Sequence, residues 1–416
     1  MSRFGLTRRT LLATTGWAAS LPLTARAATQ DDWDTQPEIR LTESVVAPDL
    51  LRGPHYALGP TVTTLAYLNR YTVTTDYGPF IAPSDVRLRR LLREIAAIAT
   101  LQAMQQSEAF EKAAIEAGKS PFRSAKDLLD DPVGTLSASP EGIGSIFNRA
   151  QEQLHREGRS RYEDGPAKQL LAVSSYKREY AAKLGVDAYS SNDSLQKELD
   201  RLAWASAAGN LTLGALSAVT GALALQVASN VRLLEQAQNV VAATPPSELS
   251  KRNREQLKRL AVADTVIDRF LRNAALSPRH ETIIVASMTA LGSIPGQASF
   301  IDYASSVDTE DAALMLQQMA ELIAGYSTLI MPVRQMAIVL NLPLITATNG
   351  AVLLLLPIDR LLWTERNADL AKGLAQAQRA PEVWITGDAS SRAESGLAQS
   401  GLTLTQHCGK QLPLLD

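Results

Sequence analysis

The chain has 416 residues, 41 of them basic and 43 acidic, for a net charge of −2, with 45% apolar residues and a single cysteine. That balance supplies no overall field for nucleic acid, whose binding rests on neutralising phosphates with Lys and Arg, so nucleic acid is excluded as an expected partner. Cys408 alone forms no intrachain disulfide and cannot assemble a cysteine-ligated zinc or iron–sulfur site.

Residues 1–27 carry the clearest pattern. Arg8-Arg9 precedes Leu11-Leu12 and an apolar run to Leu23, broken by Thr14, Thr15, Gly16, Ser20 and Pro22, and Ala25-Arg26-Ala27 offers small residues for cleavage. This resembles a twin-arginine export signal, a route that carries proteins already folded. The run is too short and too interrupted for a membrane span, which needs about 20 apolar residues. Cleavage after Ala27 removes Arg3, Arg8, Arg9 and Arg26 and no acid, leaving 37 basic against 43 acidic residues, or −6. The expected destination is periplasmic or otherwise exported, at or near a membrane.

Residues 28–42 are polar and acidic and read as a linker. The stretch 43–117 reads as a β element followed by an amphipathic helix. Val62, Leu65, Tyr67, Leu68, Tyr71, Val73 and Phe80, punctuated by three Gly-Pro pairs, predict two or three short strands. Leu88, Leu91, Leu92, Ile95, Ile98, Ala99 and Leu101 then recur at helical spacing after Ser84-Asp85, with Arg87, Arg89, Arg90 and Arg93 on the other side as a solvated face. Residues 118–165 form an irregular, Pro- and Gly-rich apolar segment.

Residues 166–336 read as a helical domain. Leu184-Gly185 marks a helix end, Ser277-Pro278 a start with Ser at N-cap, Asp264 a cap, and Asp308 the start of a long helix. Within this domain, residues 203–231 are the most apolar part and predict a buried helical hairpin, with membrane insertion as the sharper alternative. Residues 337–416 read as a small α/β domain of order β-β-α-β-α-β. Asn349-Gly350 turns a hairpin between 342–348 and 351–358, a helix follows from Leu361, Val383–Thr386 and Leu402–Thr405 are strands, and Ser391 to Glu394 is a capping box.

Catalytic patterns are weak. His280-Glu281-Thr282-Ile283-Ile284 begins like the zinc-protease HExxH but lacks the second histidine, which leaves a capping role in a first helical turn. His55, His155, His280 and His407 have no ligand spacing, so no metal is expected. His55 sits in a constrained Gly-Pro turn, and His407-Cys408 in a C-terminal tail. Asp302, Asp308, Glu310 and Asp311 read as helix N-terminal acids. Thr386-Gly387-Asp388 lacks the further glycines of a phosphate loop, so no cofactor is expected.

The resulting fold class is α+β and predominantly α-helical, with a short N-terminal β element, a central helical domain and a small C-terminal α/β domain. The functional expectation is a non-catalytic exported envelope protein that binds a protein partner or membrane lipid. The alternatives are an envelope hydrolase with a site assembled from distant residues, His55 and His280 first among them, or a carrier of an apolar ligand between helices.

Overall fold

Alternation of β-branched and aromatic residues with threonine after residue 56 produces strands with one buried and one exposed face. The computed structural model describes residues 33–118, 173–209, 232–376, 380–412 and 414–415, and within them the fold is mixed α+β. Six antiparallel strands come first: β1 (Glu38–Leu41), β2 (Arg52–Gly53), β3 (Tyr56–Leu58), β4 (Thr61–Leu65), β5 (Leu68–Thr75) and β6 (Gly78–Ala82). β5 is the central strand and pairs with β4, β3 and β6, while β1 lies at an edge beside β4. Two or three strands were expected, and the linker read over 28–42 in fact contains β1. It escapes hydrophobic pattern reading because Ile39 and Leu41 point outward while Glu38 and Arg40 are the half-buried pair.

Val62, Tyr71, Val73 and Ala82 from the inner sheet face pack on Leu88, Leu91 and Ile95 of α1 (Asp85–Gln105). Ser84 is its N-cap and accepts from the Arg87 N–H at 3.1 Å. The next helices are α2 (Glu108–Gly118), α3 (Val173–Leu184) and α4 (Asp193–Gly209), which bury Met104, Tyr180, Leu195, Leu199 and Leu202 against the far half of α1. Gly185, at φ +67°, ends α3 where a left-handed residue was expected. Residues 119–165 of the irregular segment, with His155, and residues 210–231 of the apolar stretch lie outside the described residues.

The chain continues with α5 (Arg232–Ala243), α6 (Pro246–Arg259), α7 (Asp264–Leu271), α8 (Pro278–Ala290), α9 (Gln297–Ala304) and α10 (Glu310–Leu329). Ser277 caps α8 as its sequence predicts, whereas α7 is capped at Ala263 with Asp264 already helical. Thr309 rather than Asp308 caps α10, accepting from the Ala312 N–H.

Three antiparallel strands follow, β7 (Val333–Val339), β8 (Leu342–Ala347) and β9 (Val352–Leu356), with Gly350 at φ +85° in the turn between the last two. Beyond them come β10 (Arg360–Leu361), α11 (Glu365–Ala375), β11 (Glu382–Ile385), β12 (Asp388–Ala389), α12 (Ser391–Gln399) and β13 (Leu404–Thr405). The main sheet runs β13-β11-β9-β8-β7, with β9, β11 and β13 parallel, and β10 pairs β12 in a separate ribbon. The extra strand β7 begins before the expected domain start at 337, and α11 begins at Glu365 rather than 361. The residue that caps α12 is Ser390, one before the predicted box, and Glu394 instead accepts from Gln406.

Ile345, Leu353 and Leu355 face α8 and α10, and Leu344, Leu354, Val383 and Ile385 face α11 and α12. Burial on both faces explains why β8 and β9 read as unbroken apolar runs. Gly387 closes the β11–β12 turn so tightly that a Cβ there would lie 2.0 Å from the Asp359 carbonyl oxygen. Gly387→Ala should therefore force the backbone apart and lower stability by about 2 kcal/mol, read by urea denaturation. An unchanged midpoint would refute the constraint.

Candidate functional site

The first and last parts of the described chain are interlocked by polar contacts across roughly 300 positions of sequence. The Tyr67 carbonyl accepts from the Asp359 and Arg360 N–H groups at 3.0 and 3.1 Å, and the Tyr67 hydroxyl donates to Asn367 at 2.7 Å. Arg360 forks onto both carboxylate oxygens of Glu38 at 3.0 Å and donates to Asp388 at 2.7 Å. Arg40 joins the same acids and donates to Asn69 at 2.9 Å. Asp34 accepts from the Trp363 N–H at 2.6 Å and from the Ser390 hydroxyl.

Asp359 is the centre of this junction. One of its oxygens, Oδ2, accepts from the backbone N–H of Asn69 at 2.9 Å and of Asp85 at 3.1 Å. Asp85 Oδ1 in turn accepts from the Tyr71 hydroxyl at 2.5 Å and the Asn69 amide at 2.9 Å. Burial, and then the charge of Asp85, push the Asp359 carboxyl well above the usual carboxylate range. Tyr71 is pushed up for the same reasons, burial first and then Asp85.

A small cleft of about 20 Å³, room for roughly one water molecule, opens beside Asp359, between the start of α1, one face of α10 and the loops after β9 and β11. Leu68, Val86, Leu314, Met315 and Pro357 make its apolar walls, and Ser84, Asp311, Gln318, Asp359 and Thr386 its polar ones. Arg87 of α1 holds Asp311 at 3.2 Å and Glu310 at 2.9 Å. Arg87, on the helix face expected to be solvated, thus docks on α10, and Glu310 and Asp311 occupy its first turn as expected. Asp302 does not: it lies near the end of α9 and pairs with Arg269.

A second set of ionisable groups is buried where α8 and α10 meet the C-terminus. Glu321 accepts from the Leu415 N–H at 2.7 Å and from Gln317 at 2.6 Å, and Arg279 reaches the Leu415 carbonyl at 3.4 Å. Burial raises Glu321 to about 7, against the lowering pull of those hydrogen bonds and of Arg279 and Arg90. His280, rather than the Glu281 to which the dipole argument pointed, completes the cap, its Nδ1 accepting from the Ser277 N–H at 3.2 Å. Burial lowers it well below the ordinary histidine value, helped by Arg90, Arg87 and Arg279. Glu281, also buried, is raised well above its usual value by desolvation.

The remaining candidates separate. His55 meets Asp76 at 2.9 Å in an exposed turn. His407 is exposed at φ 54°, while Cys408 is fully buried in the core shared by the helices and the main sheet, its thiol pushed up by burial to about 12. The tail reading of Cys408 is therefore corrected, and a thiol so placed is unreactive. Among the described residues no three His, Cys, Asp or Glu side chains gather to hold a metal, and no helix is long and apolar enough to cross a membrane.

Asp359 and Glu321 were not singled out in the sequence, yet both carry a signal. Glu321 is the only charge between Asp311 and Arg334, and Asp359-Arg360 the only charges between Arg334 and Glu365. Isolated charges in apolar surroundings are buried and partnered.

One further surface stands out. Of the eight exposed large apolar side chains among the described residues, Ile39, Leu41, Leu65 and Ile81 share the outer face of the N-terminal sheet. Thr61, Thr63, Thr72 and Thr74 fill that face, and Arg52 and Arg70 are its only charges among the described strand positions. No protein-family model matches the chain, and no curated protein or solved structure matches it.

Because Glu321 binds its proton more tightly folded than unfolded, its contribution is full below about pH 4.5 and is lost as pH rises through about 7. His280 acts oppositely: the unfolded chain takes up the proton first, so stability is lost as pH falls below about 6.5. Glu321→Gln should be more stable than the parent by about 3 kcal/mol at pH 8, with the gap closing by pH 5 in urea denaturation. A gap independent of pH would contradict this.

Proposed function

We propose that the protein is a non-catalytic binding protein of the cell envelope, exported by the twin-arginine route, which docks an acidic protein partner on the outer face of its N-terminal sheet. The proposed layout is an N-terminal β element, a central helical domain and a C-terminal α/β domain, with the β element as the binding end. The observation that carries the reading is that outer face, where Ile39, Leu41 and Ile81 are 65%, 57% and 60% exposed. Exposed apolar side chains that gather on one face mark a contact surface, whereas scattered ones need no explanation.

Charge narrows the occupant. With Arg52 and Arg70 and no acid at the outward strand positions, the face is complementary to an acidic surface. Threonine rows supply hydroxyls for a polar rim around the apolar centre. Edge strand β1 adds exposed backbone groups that favour an extended segment of a partner over a flat bilayer.

A photo-crosslinking residue at Thr72 should give a protein adduct in cells, and one at exposed Lys251 on α6 should not. The adduct should disappear in Ile39→Asp/Ile81→Asp, weaken at least about fivefold in Arg70→Glu and fade with salt, while unfolding is unchanged. An adduct that survives the double variant, or binding instead to phosphatidylglycerol vesicles, overturns the protein-partner reading. Replacing Arg8 and Arg9 with lysine should hold the precursor in the cytoplasm on fractionation, and normal export of that variant would refute the proposed route.

A further inference from the structure

We infer that the groove between α12 and the edge strand β13 takes an extended, lysine- or arginine-bearing segment of a second protein by strand addition. The local chain path makes the groove. Gly401, at φ +76°, turns the backbone at the end of α12. Its N–H donates to the Ala398 carbonyl at 3.0 Å, and the Leu402 N–H to the Leu397 carbonyl at 2.9 Å. Leu402 is buried and the chain runs directly on into β13, so helix and strand lie side by side. Between them is an open groove of about 540 Å³, lined by Glu394 and Ala398 of α12, by residues 401–404 and by Gln406.

One wall of the groove is an unpaired sheet edge. β13 ends the main sheet, with β11 as its neighbour. The Val383 N–H donates to the Thr403 carbonyl at 2.8 Å, which fixes the residues of the edge that face β11. Successive residues of a strand direct their backbone groups to opposite sides. Thr403 and Thr405 therefore turn toward β11, and Leu404 turns its N–H and carbonyl outward, where no described residue bonds to them. An outward donor and acceptor on one residue is what an added strand pairs with.

Charge selects the strand. Glu394 is the only charged residue of the lining, and it is held in place. Gln406 accepts from the Ala389 N–H through Oε1 at 2.7 Å and donates through Nε2 to Glu394 Oε1 at 2.7 Å. Both ends of that amide are committed, and Glu394 Oε2 is left for another donor. No Lys or Arg stands in the last turn of α12, whose carbonyl end favours a cation. A basic side chain on the added strand answers both groups, and Ala398, Leu402 and Leu404 give its stem an apolar floor. An acidic segment would be repelled, and a small cation alone would leave Leu404 unpaired. The inference is independent of the docking face, because none of the outward sheet positions named above lines this groove.

The test titrates purified mature protein with fluorescent octapeptides of alternating serine and valine, in which one serine at a time is replaced by lysine, norleucine or glutamate. A lysine peptide should bind saturably, its norleucine counterpart at least about tenfold more weakly, and the glutamate peptide not at all. Bound lysine peptide should slow hydrogen exchange of the Leu404 amide at least about tenfold, and backbone N-methylation of the peptide should abolish binding. Glu394→Gln should weaken the lysine peptide at least about tenfold and leave the norleucine peptide unchanged. Ala398→Phe fills the groove without touching Glu394 and should abolish binding, with unfolding of both variants measured in parallel. No saturable binding of any lysine peptide, or equal affinity in a folded Glu394→Gln or Ala398→Phe, would overturn the inference. So would a Leu404 amide whose exchange ignores bound peptide, or a dimer of this chain in sedimentation that Ala398→Phe dissolves.

Discussion

A single buried carboxyl, that of Asp359, ties together parts of the molecule that would otherwise end in unpaired backbone donors. It accepts from β5 at Asn69 and from the first residue of α1 at Asp85, while its own backbone N–H donates to Tyr67. Each such hydrogen bond nets only about 1 kcal/mol, but leaving a buried donor unmade costs about 1–3 kcal/mol, so the junction is strong against partial loosening. Burial and the neighbouring carboxylate of Asp85 both disfavour charge on Asp359. Arg360, Glu38, Asp388 and Arg40 close around the same point, where the edge strand β1 meets the C-terminal loop. The fold is thus closed by chemistry between chain segments nearly 300 residues apart, and the helices between them are held at both ends.

The helical interior uses charge in a related way. Arg279, Glu321 and Gln317 converge on the last described residue, Leu415, whose side chain packs with Ile283. These are hydrogen bonds of a buried acid and cation, each with a desolvation cost that offsets much of its attraction, so they add little net stability. Removing one member is another matter, since the remaining group is then buried without a partner. Such sets therefore act against misplacement of the C-terminal segment and of α8 on α10. His280 fits the same logic: as a neutral acceptor at the third helical position, it satisfies the N–H of its own cap.

Local rules read from sequence succeed where a single element decides the outcome. Ser84, Ser277 and Gly185 mark helix ends through the chemistry of one or two residues, and Asn349-Gly350 turns a hairpin for the same reason. They fail where long-range partners decide. β1 has its two apolar residues outside and its charged residues inside, the reverse of a half-buried strand, and distant partners explain it: Arg360, Asp388 and Asn69. Cys408 reads as a tail residue because nothing nearby in sequence reveals that Leu412 and Leu415 carry the chain end back into the core. The cleft was invisible for the strongest reason: Ser84, Gln318, Asp359 and Thr386 come from four separated segments, and none belongs to a motif.

β5 joins the outer sheet face to the junction around Asp359. Leu68 lines the cleft, Asn69 is buried and bonded to Asp359 and Asp85, and Arg70 stands on the outer face. Alternation along the strand turns Asn69 inward to Asp359 and Arg70 outward, while Leu68 sits at the strand's start beside the turn. That arrangement also removes freedom. A slip of one residue would carry Asn69 and Tyr71 into solvent and bring Arg70 into the core, so register is fixed by the same polar contacts that close the fold. A partner that twists the outer face consequently acts on a strand whose amide at Asn69 is fastened to the wall of the cleft. The two regions are separate in chemistry and continuous in backbone.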